Sequence, residues 1–533
     1  MLASVLLFLL SVSWSVVTPA FRGPDELQHV NSVLRLAEGG GWPPPQLARI
    51  EDEVGDAATL AGLVAPTGAV TVFPNGTGDV PPDAALFADV APPDVDERAS
   101  FHEMDDGPYR DGGIDQMTQH PPGYYAVVAA IYSGLGAAEW RYDHAIFLMR
   151  ALTALMVALF LPMSCYVAGR AMTGRPSVGA AAAFVPLLIP ELHFVAGMVT
   201  NDGATIACTA VMWAAAMVIL ASGPTNRRLL VLGVAAGLAC WTKGTAVALL
   251  PVVPVVVLLA YRRERGGTLR SWVPPALFAS AWTLAVAFVL GGWWWAVNLL
   301  RYGRVQPSGY PTAPRADDPI AFADFVVFFL QRLRWTFFGE MGGREPPPLH
   351  ALTATLSVAF VVLCAVGLVL SCRRAERLVI VLGSAATVGV LFATTYSAHL
   401  QTGNFPGIQG RYLFGLLVPI AVLFTLGLIR LGKLVRLPSA VWPPVLSFTA
   451  VGVGLLGVTS AFRIFYVVDG RRDGESVDLF LAWSAWSPAA LWGLAAAGVA
   501  VVLLLAVIFG RDAYVTRSLG HHETEITQTA RST

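Results

Sequence analysis

Long apolar runs recur from one end of this chain to the other, and they fix the solvent in which it folds. A membrane-crossing helix needs about 20 apolar residues for roughly 30 Å of hydrocarbon. Runs of that kind fall near 2–18, 145–169, 176–190, 202–222, 229–241, 245–261, 272–297, 350–371, 378–396, 411–430, 438–461 and 487–509. Composition agrees: of 533 residues, 55% are hydrophobic and 13% charged, and the mean hydropathy is +0.61. A soluble domain carries about 25% charged residues. Soluble fold classes are therefore excluded, and the expected fold is an all-α polytopic membrane protein with about 12 transmembrane helices. With a net charge of −1, nothing points to a nucleic-acid partner.

Orientation follows from the short connections. Arg170 and Arg175, Arg227 and Arg228, the group from Arg262 to Arg270, Arg373 to Arg377, Arg430 to Arg436, and Arg511 all fall on one face. The positive-inside rule makes that face cytoplasmic. A bacterial inner or plasma membrane with both termini cytoplasmic is expected. The first run lacks a basic leader, and Thr18-Pro19-Ala20-Phe21 is a poor cleavage site, so it reads as an uncleaved helix. The basic residues are almost all Arg, with Lys only at Lys243 and Lys433, which suits a GC-rich bacterial genome. Cys165, Cys208, Cys240, Cys364 and Cys372 all lie in or beside apolar runs. They read as small buried hydrophobes rather than a disulfide framework or zinc site.

Residues 1–510 form the expected membrane domain, and 511–533 a polar, disordered cytoplasmic tail. Two large loops face outward, 19–143 and 299–349. In the first, Pro24-Asp25-Glu26 opens an amphipathic helix over 24–38, expected to lie on the membrane, with Asp25, His29 and Ser32 on its polar side. Residues 42–115 read as an irregular acidic loop with a short strand at 69–73. Residues 121–138 are short for a crossing and rich in Tyr, so they read as an interfacial helix. Counting them as a span would place every Arg cluster outside. In the second loop, Arg332, Arg334 and Trp335 with Glu340 suggest another interfacial helix, whose basic face would meet lipid headgroups or the donor phosphate.

Charges beside membrane spans are costly and are functional candidates by default. Here they gather at one depth. Asp25 and Glu26 follow the first span; Glu191 and His193 end the third; Asn201 and Asp202 begin the fourth; Lys243 lies between the fifth and sixth; Arg411 opens the tenth. The charge rule puts all of them outside. Arg and Lys can hold a lipid-borne phosphate, and a carboxylate can take a proton from an attacking hydroxyl. A sugar activated on a polyprenyl phosphate needs both.

An Asp-Glu pair after one apolar helix, followed by His120-Pro121-Pro122 before the second span, resembles the GT-C membrane glycosyltransferases. The likeness is greatest to protein O-mannosyltransferases and bacterial lipid A aminoarabinose transferases. The chain also resembles a group of bacterial membrane proteins with Pro-Asp-Glu early and Gln-Gly-Arg-Tyr late, here Gln409-Gly410-Arg411-Tyr412. The resemblance implies a polyprenyl-phosphate sugar donor, an acceptor that is a glycan, lipid or protein, and inverting transfer outside the membrane. It implies that Asp25 is the catalytic base with Glu26 as substitute, that Lys243 and Arg411 hold the donor phosphate, and that His120 positions. His29, Glu191, Asn201 and Asp202 are supporting candidates. Gly123 stands where the family has Leu, and 42–115 has no counterpart.

Simpler readings stand beside these. Asp25 and Glu26 are also suited to a helix N-terminus, Asp202 to capping the fourth span, and Lys243 to snorkelling. No metal or other cofactor is required. A divalent site built from Asp25, Glu26, His29 and His120 has no ligand spacing to support it. Trp293-Trp294-Trp295 suits an aromatic belt. The rival function, a transporter or flippase of a lipid-linked precursor, would be expected to show internal repeats and charges at the midplane.

Overall fold

A computed structural model of the protein describes residues 1–62, 92–104, 112–311, 318–339, 347–405, 407–467 and 473–532. The expected strand at 69–73 and Glu340 lie outside these residues. Among the described residues there is no β-strand; two isolated bridges join Arg49 to Ile114 and Ser100 to Arg141. The first outer region runs through α1 (Leu2–Val17), α2 (Glu26–Ala37), α3 (Asp52–Leu60) and α4 (Gly123–Gly134). The membrane helices continue with α5 (Tyr142–Thr173), α6 (Pro176–Phe184), α7 (Pro190–Ala196), α8 (Asn201–Ser222), α9 (Asn226–Cys240), α10 (Val252–Arg265), α11 (Leu269–Ala287) and α12 (Trp293–Tyr302). The second half holds α13 (Phe322–Phe338), α14 (Pro347–Leu370), α15 (Arg374–Thr402), α16 (Leu417–Gly432), α17 (Trp442–Tyr466), α18 (Asp473–Trp483) and α19 (Pro488–Ser532).

All twelve apolar runs are helical, but not all are long. Among the described residues nine helices are long and apolar enough to cross a membrane, or ten with one bent pair counted as a span. The others, α1 and α9, have 16 and 15 residues. Each is walled in by neighbours, α1 by α5 and α17, α9 by α8 and α11. The third run is broken: Pro176–Leu188 and Pro190–Ala196 meet at 78°. Pro186 and Pro190 have no N–H with which to continue the helical ladder. Glu191 and His193 thus sit on a separate short helix, α7, and not at the end of the third span.

The outer loops depart further from expectation. Helix α2 does not have the wet polar face expected of it; Glu26, His29, Asn31, Ser32 and Arg35 are buried along with Val30, Val33 and Leu34. Its polar side has a protein partner. Asp115 accepts from Asn31 Nδ2 at 2.8 Å, Ser32 Oγ at 2.8 Å, Arg35 Nη1 at 2.9 Å and the Met117 N–H at 2.9 Å. The loop expected to be irregular contains α3, which buries Val54, Ala57 and Ala58, too small an apolar face to stand out in sequence. Helix α4 has 12 residues, too few to cross, and buries one face through Tyr124, Tyr125, Val128 and Tyr132. The second loop supplies α13, whose Phe325 packs on Phe392, Tyr396 and His399 of α15.

Small residues set the closest approaches. A Cβ on Gly427 of α16 would lie 2.0 Å from the Leu363 carbonyl oxygen of α14, and one on Gly367 of α14 would lie 2.1 Å from that of Leu423. Helices in lipid gain packing by such backbone contact. The five thiols are free and buried or half-buried. Helix α19 continues through 511–532, where disorder was expected from polarity; its backbone ladder runs on without a proline.

Candidate functional site

The site begins at the turn between α1 and α2, which is held by one residue that the sequence reading did not single out. Arg150, inside the apolar face of α5, donates Nη1 to the carbonyls of Ser15 and Thr18, both at 2.7 Å. Its Nη2 donates to Pro19 O at 2.8 Å and Glu26 Oε2 at 2.6 Å, and its Nε to Glu26 Oε1 at 2.8 Å. Glu26 also accepts the Val199 N–H at 2.9 Å and the Gly23 N–H at 3.0 Å. Its side chain is fully enclosed. An Arg within an apolar run is the signal that could have found this clamp.

The clamp leaves Asp25 in a left-handed conformation, with φ 55° and ψ 22°. A non-glycine residue there is held by its surroundings, at a cost of about 1–2 kcal/mol. Asp25 makes no side-chain capping bond to its own helix, so the simple reading of a helix-opening acid does not describe it. Its carboxylate instead accepts from Arg411 Nη2 at 3.1 Å and Gln116 Nε2 at 3.1 Å. It is 30% exposed, the open member of the cluster.

Beyond Arg411 the charges alternate. Arg411 Nε is 3.4 Å from Asp202 Oδ2, and Lys243 Nζ donates to Asp202 Oδ1 at 2.6 Å. The Lys243 ammonium also stands 4.7 Å from the centre of the Tyr412 ring. Asp25, Arg411, Asp202 and Lys243 thus form one chain of opposite charges, drawn from four widely separated parts of the sequence. Lys243 is 7% exposed and does not snorkel to water. The cap of α8 is Thr200, whose hydroxyl accepts the Asp202 N–H at 3.2 Å, so Asp202 is free for the cations. Asn201 donates to Thr242 O at 3.2 Å, and the Thr205 and Thr242 hydroxyls are 2.9 Å apart. These bonds fix the turn that carries Lys243.

His120 lies in the field of Lys243 and Asp202, with Nδ1 buried and unpartnered. Burial, and secondarily Lys243, pull its pKa down to about 3, so its ring is neutral at pH 7. Its carbonyl accepts the Trp42 indole N–H at 3.0 Å. Gly123, the departure from the family's Leu, has a local cause: a Cβ there would lie 2.4 Å from Trp241 O. The start of α4 presses directly on the strand of chain leading to Lys243. His29 pairs with the Tyr125 hydroxyl at 2.9 Å and is also held neutral, chiefly by burial and then by Lys243.

The remaining candidates separate. Glu191 is buried on α7 and belongs to the charges felt at Arg411, whereas His193 is enclosed with neither ring nitrogen hydrogen-bonded. Trp295 is no belt residue; it is buried and donates to Cys240 O at 2.7 Å at the end of α9. The divalent-ion alternative does not assemble, because Glu26 is taken by Arg150 and His29 by Tyr125. Among the described residues no three His, Cys, Asp or Glu side chains gather as metal ligands.

A strap of chain after α12 packs against the loops that carry the site. Gln46 Nε2 donates to Ser308 O at 3.1 Å and Tyr310 O at 3.3 Å, and Gln306 Nε2 donates to Gln119 Oε1 at 3.2 Å. Tyr310 hydrogen-bonds to Gln28, and burial with the nearby Asp25 and Asp115 pushes its pKa up to about 12. Gly244 admits the strap: a Cβ there would lie 2.2 Å from Gln306 Oε1.

Comparison with known proteins bears on residues spanning this whole site. The sequence profile of a family described as a predicted membrane protein (DUF2142) matches residues 8–423, from within α1 into α16. The fold is similar to the crystal structure of ArnT from Cupriavidus metallidurans bound to undecaprenyl phosphate, at 14% identity and TM-score 0.41 over 94% of this chain and 76% of that one. It is similar also to the apo structure of the same protein, at 15% identity and TM-score 0.38 over 89% of this chain and 77% of that one. No curated protein matches the chain in sequence.

Proposed function

Because the chain belongs to the DUF2142 family of predicted membrane proteins, and carries one buried chain of charges at the ends of its helices, we propose that it is a membrane glycosyltransferase using a polyprenyl-phosphate sugar. The observation that carries this reading is the contact of Asp25 with Arg411 and, through Asp202, with Lys243. With the Arg-rich turns cytoplasmic, the site faces outward from the cell membrane and both termini face inward. Residues 1–510 act as one membrane domain, the tail beyond it taking no part.

Asp25 takes the proton of an acceptor hydroxyl. That oxygen forms a bond to the anomeric carbon as the bond from that carbon to the phosphate oxygen breaks. The electron pair leaves with the phosphate, whose charge rises from −1 to −2. Arg411 and Lys243 stabilise the added charge, which they can do best in a site closed to water. Asp202 holds both cations in place until the phosphodiester takes its position between them. Asn201 and Glu191 support that cation pair; neutral His120 accepts or donates one hydrogen bond beside it. Glu26 is not the base, since both its oxygens already accept two N–H groups each.

The test is release of carrier phosphate by the purified protein in nanodiscs, given labelled undecaprenyl-phosphate sugars and a lipid or glycan acceptor. Asp25→Asn should lower the rate by about 10²–10⁴-fold, the usual contribution of a positioned base. Its melting temperature should hardly move, since a partly exposed ion pair contributes about 1 kcal/mol or less. Near wild-type turnover by Asp25→Asn would sink the assignment. Movement of the carrier lipid across the bilayer without sugar release would favour the flippase reading instead.

A further inference from the structure

We propose that the phosphate of the polyprenyl-phosphate donor first docks on Arg301 and Arg304, at the outer end of α12, before it passes to Lys243. This rests on the glycosyl-transfer reading above and adds a receiving site to it. The helical run Leu269–Tyr302, which includes α11 and α12, has 34 residues, about 51 Å of helix against roughly 30 Å of hydrocarbon. Arg270 and Arg301 stand about 46 Å apart along it, close to the roughly 40–45 Å that a bilayer measures with its headgroups. With Arg270 at the cytoplasmic surface, Arg301 and Arg304 therefore stand among the outer headgroups.

The two faces of α12 have different partners. Trp295 and Asn298 are buried. Trp295 donates to Cys240 O at 2.7 Å, and its ring stands 3.2 Å from where a Cβ on Gly244 would lie. Asn298 donates to Val305 O at 3.3 Å, which folds the strap back on the helix just after Arg304. Gln306 then reaches Gly244, the residue after Lys243. The other face is open. Trp293 and Leu300, about two turns apart and so on one side, are 38% and 86% exposed. Arg301 and Arg304 are exposed beyond them. Among the described residues neither has a hydrogen bond or an ion pair, whereas Arg35, Arg98, Arg141 and Arg150 each face a carboxylate. The charge rule does not account for arginines on this side. Two unpaired guanidinium groups topping an apolar strip match a phosphate on a long hydrocarbon tail. The strip takes the tail and the arginines the headgroup, and no more than about 7 Å of chain separates Arg304 from Gln306.

The experiment puts the full-length protein in phosphatidylcholine nanodiscs with a photoreactive undecaprenyl phosphate and maps the labelled peptides. The segment 293–305 should be labelled. Arg301→Gln combined with Arg304→Gln should lower that labelling about ten- to twentyfold, each exposed charge contact contributing about three- to fivefold. Arg463→Gln, at an exposed arginine in the last turn of α17, should change nothing. In turnover assays the double variant should raise KM for the sugar donor by the same factor with kcat little changed. Labelling by photoreactive undecaprenol as strong as by its phosphate, or full displacement by an equal mole fraction of phosphatidylglycerol, would overturn the docking site and leave an ordinary interfacial anchor. An unaltered KM in the double variant would overturn its role in receiving the donor. Phosphate-dependent labelling with no release from any donor would overturn the glycosyl-transfer reading and leave the lipid-phosphate site standing.

Discussion

Removing the Arg150 side chain should be among the most damaging single changes available outside the apolar core. In Arg150→Ala, the Ser15 and Thr18 carbonyls lose their Arg150 donor, Pro19 O keeps only the Arg22 N–H, and the Glu26 carboxylate keeps only the Val199 and Gly23 N–H groups. Breaking one side of a buried ion pair costs about 3–5 kcal/mol, and each stranded buried acceptor adds about 1 kcal/mol or more where water does not reach it. With two carbonyls stranded, the expected loss is therefore about 5–7 kcal/mol. Glu26→Gln keeps the shape and removes the charge, and should cost about 2–3 kcal/mol. Combining Glu26→Gln with Arg150→Met leaves no uncompensated charge, so the double variant should lose about 2 kcal/mol less than the sum of the singles. Thermal unfolding of detergent-solubilised protein can be followed by the reaction of a thiol dye with the five cysteines, which are buried or half-buried when folded. Strictly additive shifts in the two singles and the double would refute the clamp. So would an Asp25→Asn shift as large as that of Glu26→Gln, because neighbouring acids would then share one structural role.

Two further outcomes follow from the geometry. His120 has a pKa of about 3 in the folded protein against 6.5 ordinarily, so between those values the unfolded chain binds the extra proton. Stability conferred by the neutral ring is fully present above about pH 6.5 and is lost as pH falls, by about 2 kcal/mol from pH 7 to pH 5; the melting temperature of His120→Gln should depend less on pH over that window, and equal slopes would contradict this. Gly427→Ala places a Cβ 2.0 Å from a backbone oxygen of α14, so α14 and α16 must part at a cost of about 1–3 kcal/mol, read as a lowered melting temperature that adding Gly367→Ala increases by less than its own effect.

The membrane architecture was legible because apolar length is a local property, readable run by run. Asp25, Lys243 and Arg411 were legible for a related reason: charge at the end of an apolar run stands out, and the loop charges fixed a common side. What escaped depends on contacts between distant segments. Arg150 matters through three carbonyls and a carboxylate more than 120 residues away, and nothing in its own run announces them. Asp202 read either as a helix cap or as a supporting residue, and only the fold shows Thr200 to be the cap. Gly123 looked like a departure from a motif, and its cause lies at Trp241. The amide contacts beside Asp25 and Lys243 were invisible because Gln is unremarkable in loops; only the fold brings Gln116 to Asp25 and Gln306 to Gln119.

The two short helices have a consequence for depth. With 16 and 15 residues, α1 and α9 are about 24 and 22 Å long, and each delivers one end of the site, α1 toward Asp25 and α9 toward Lys243. Hydrocarbon is roughly 30 Å thick, so from whichever face they start they stop about 6–8 Å short of the other. Helices this short bring the charges at their ends nearer to one another across the slab than full-length spans would. Under the proposed reaction, a lipid-tethered donor would meet those charges with its tail still in the bilayer, without being lifted out of it.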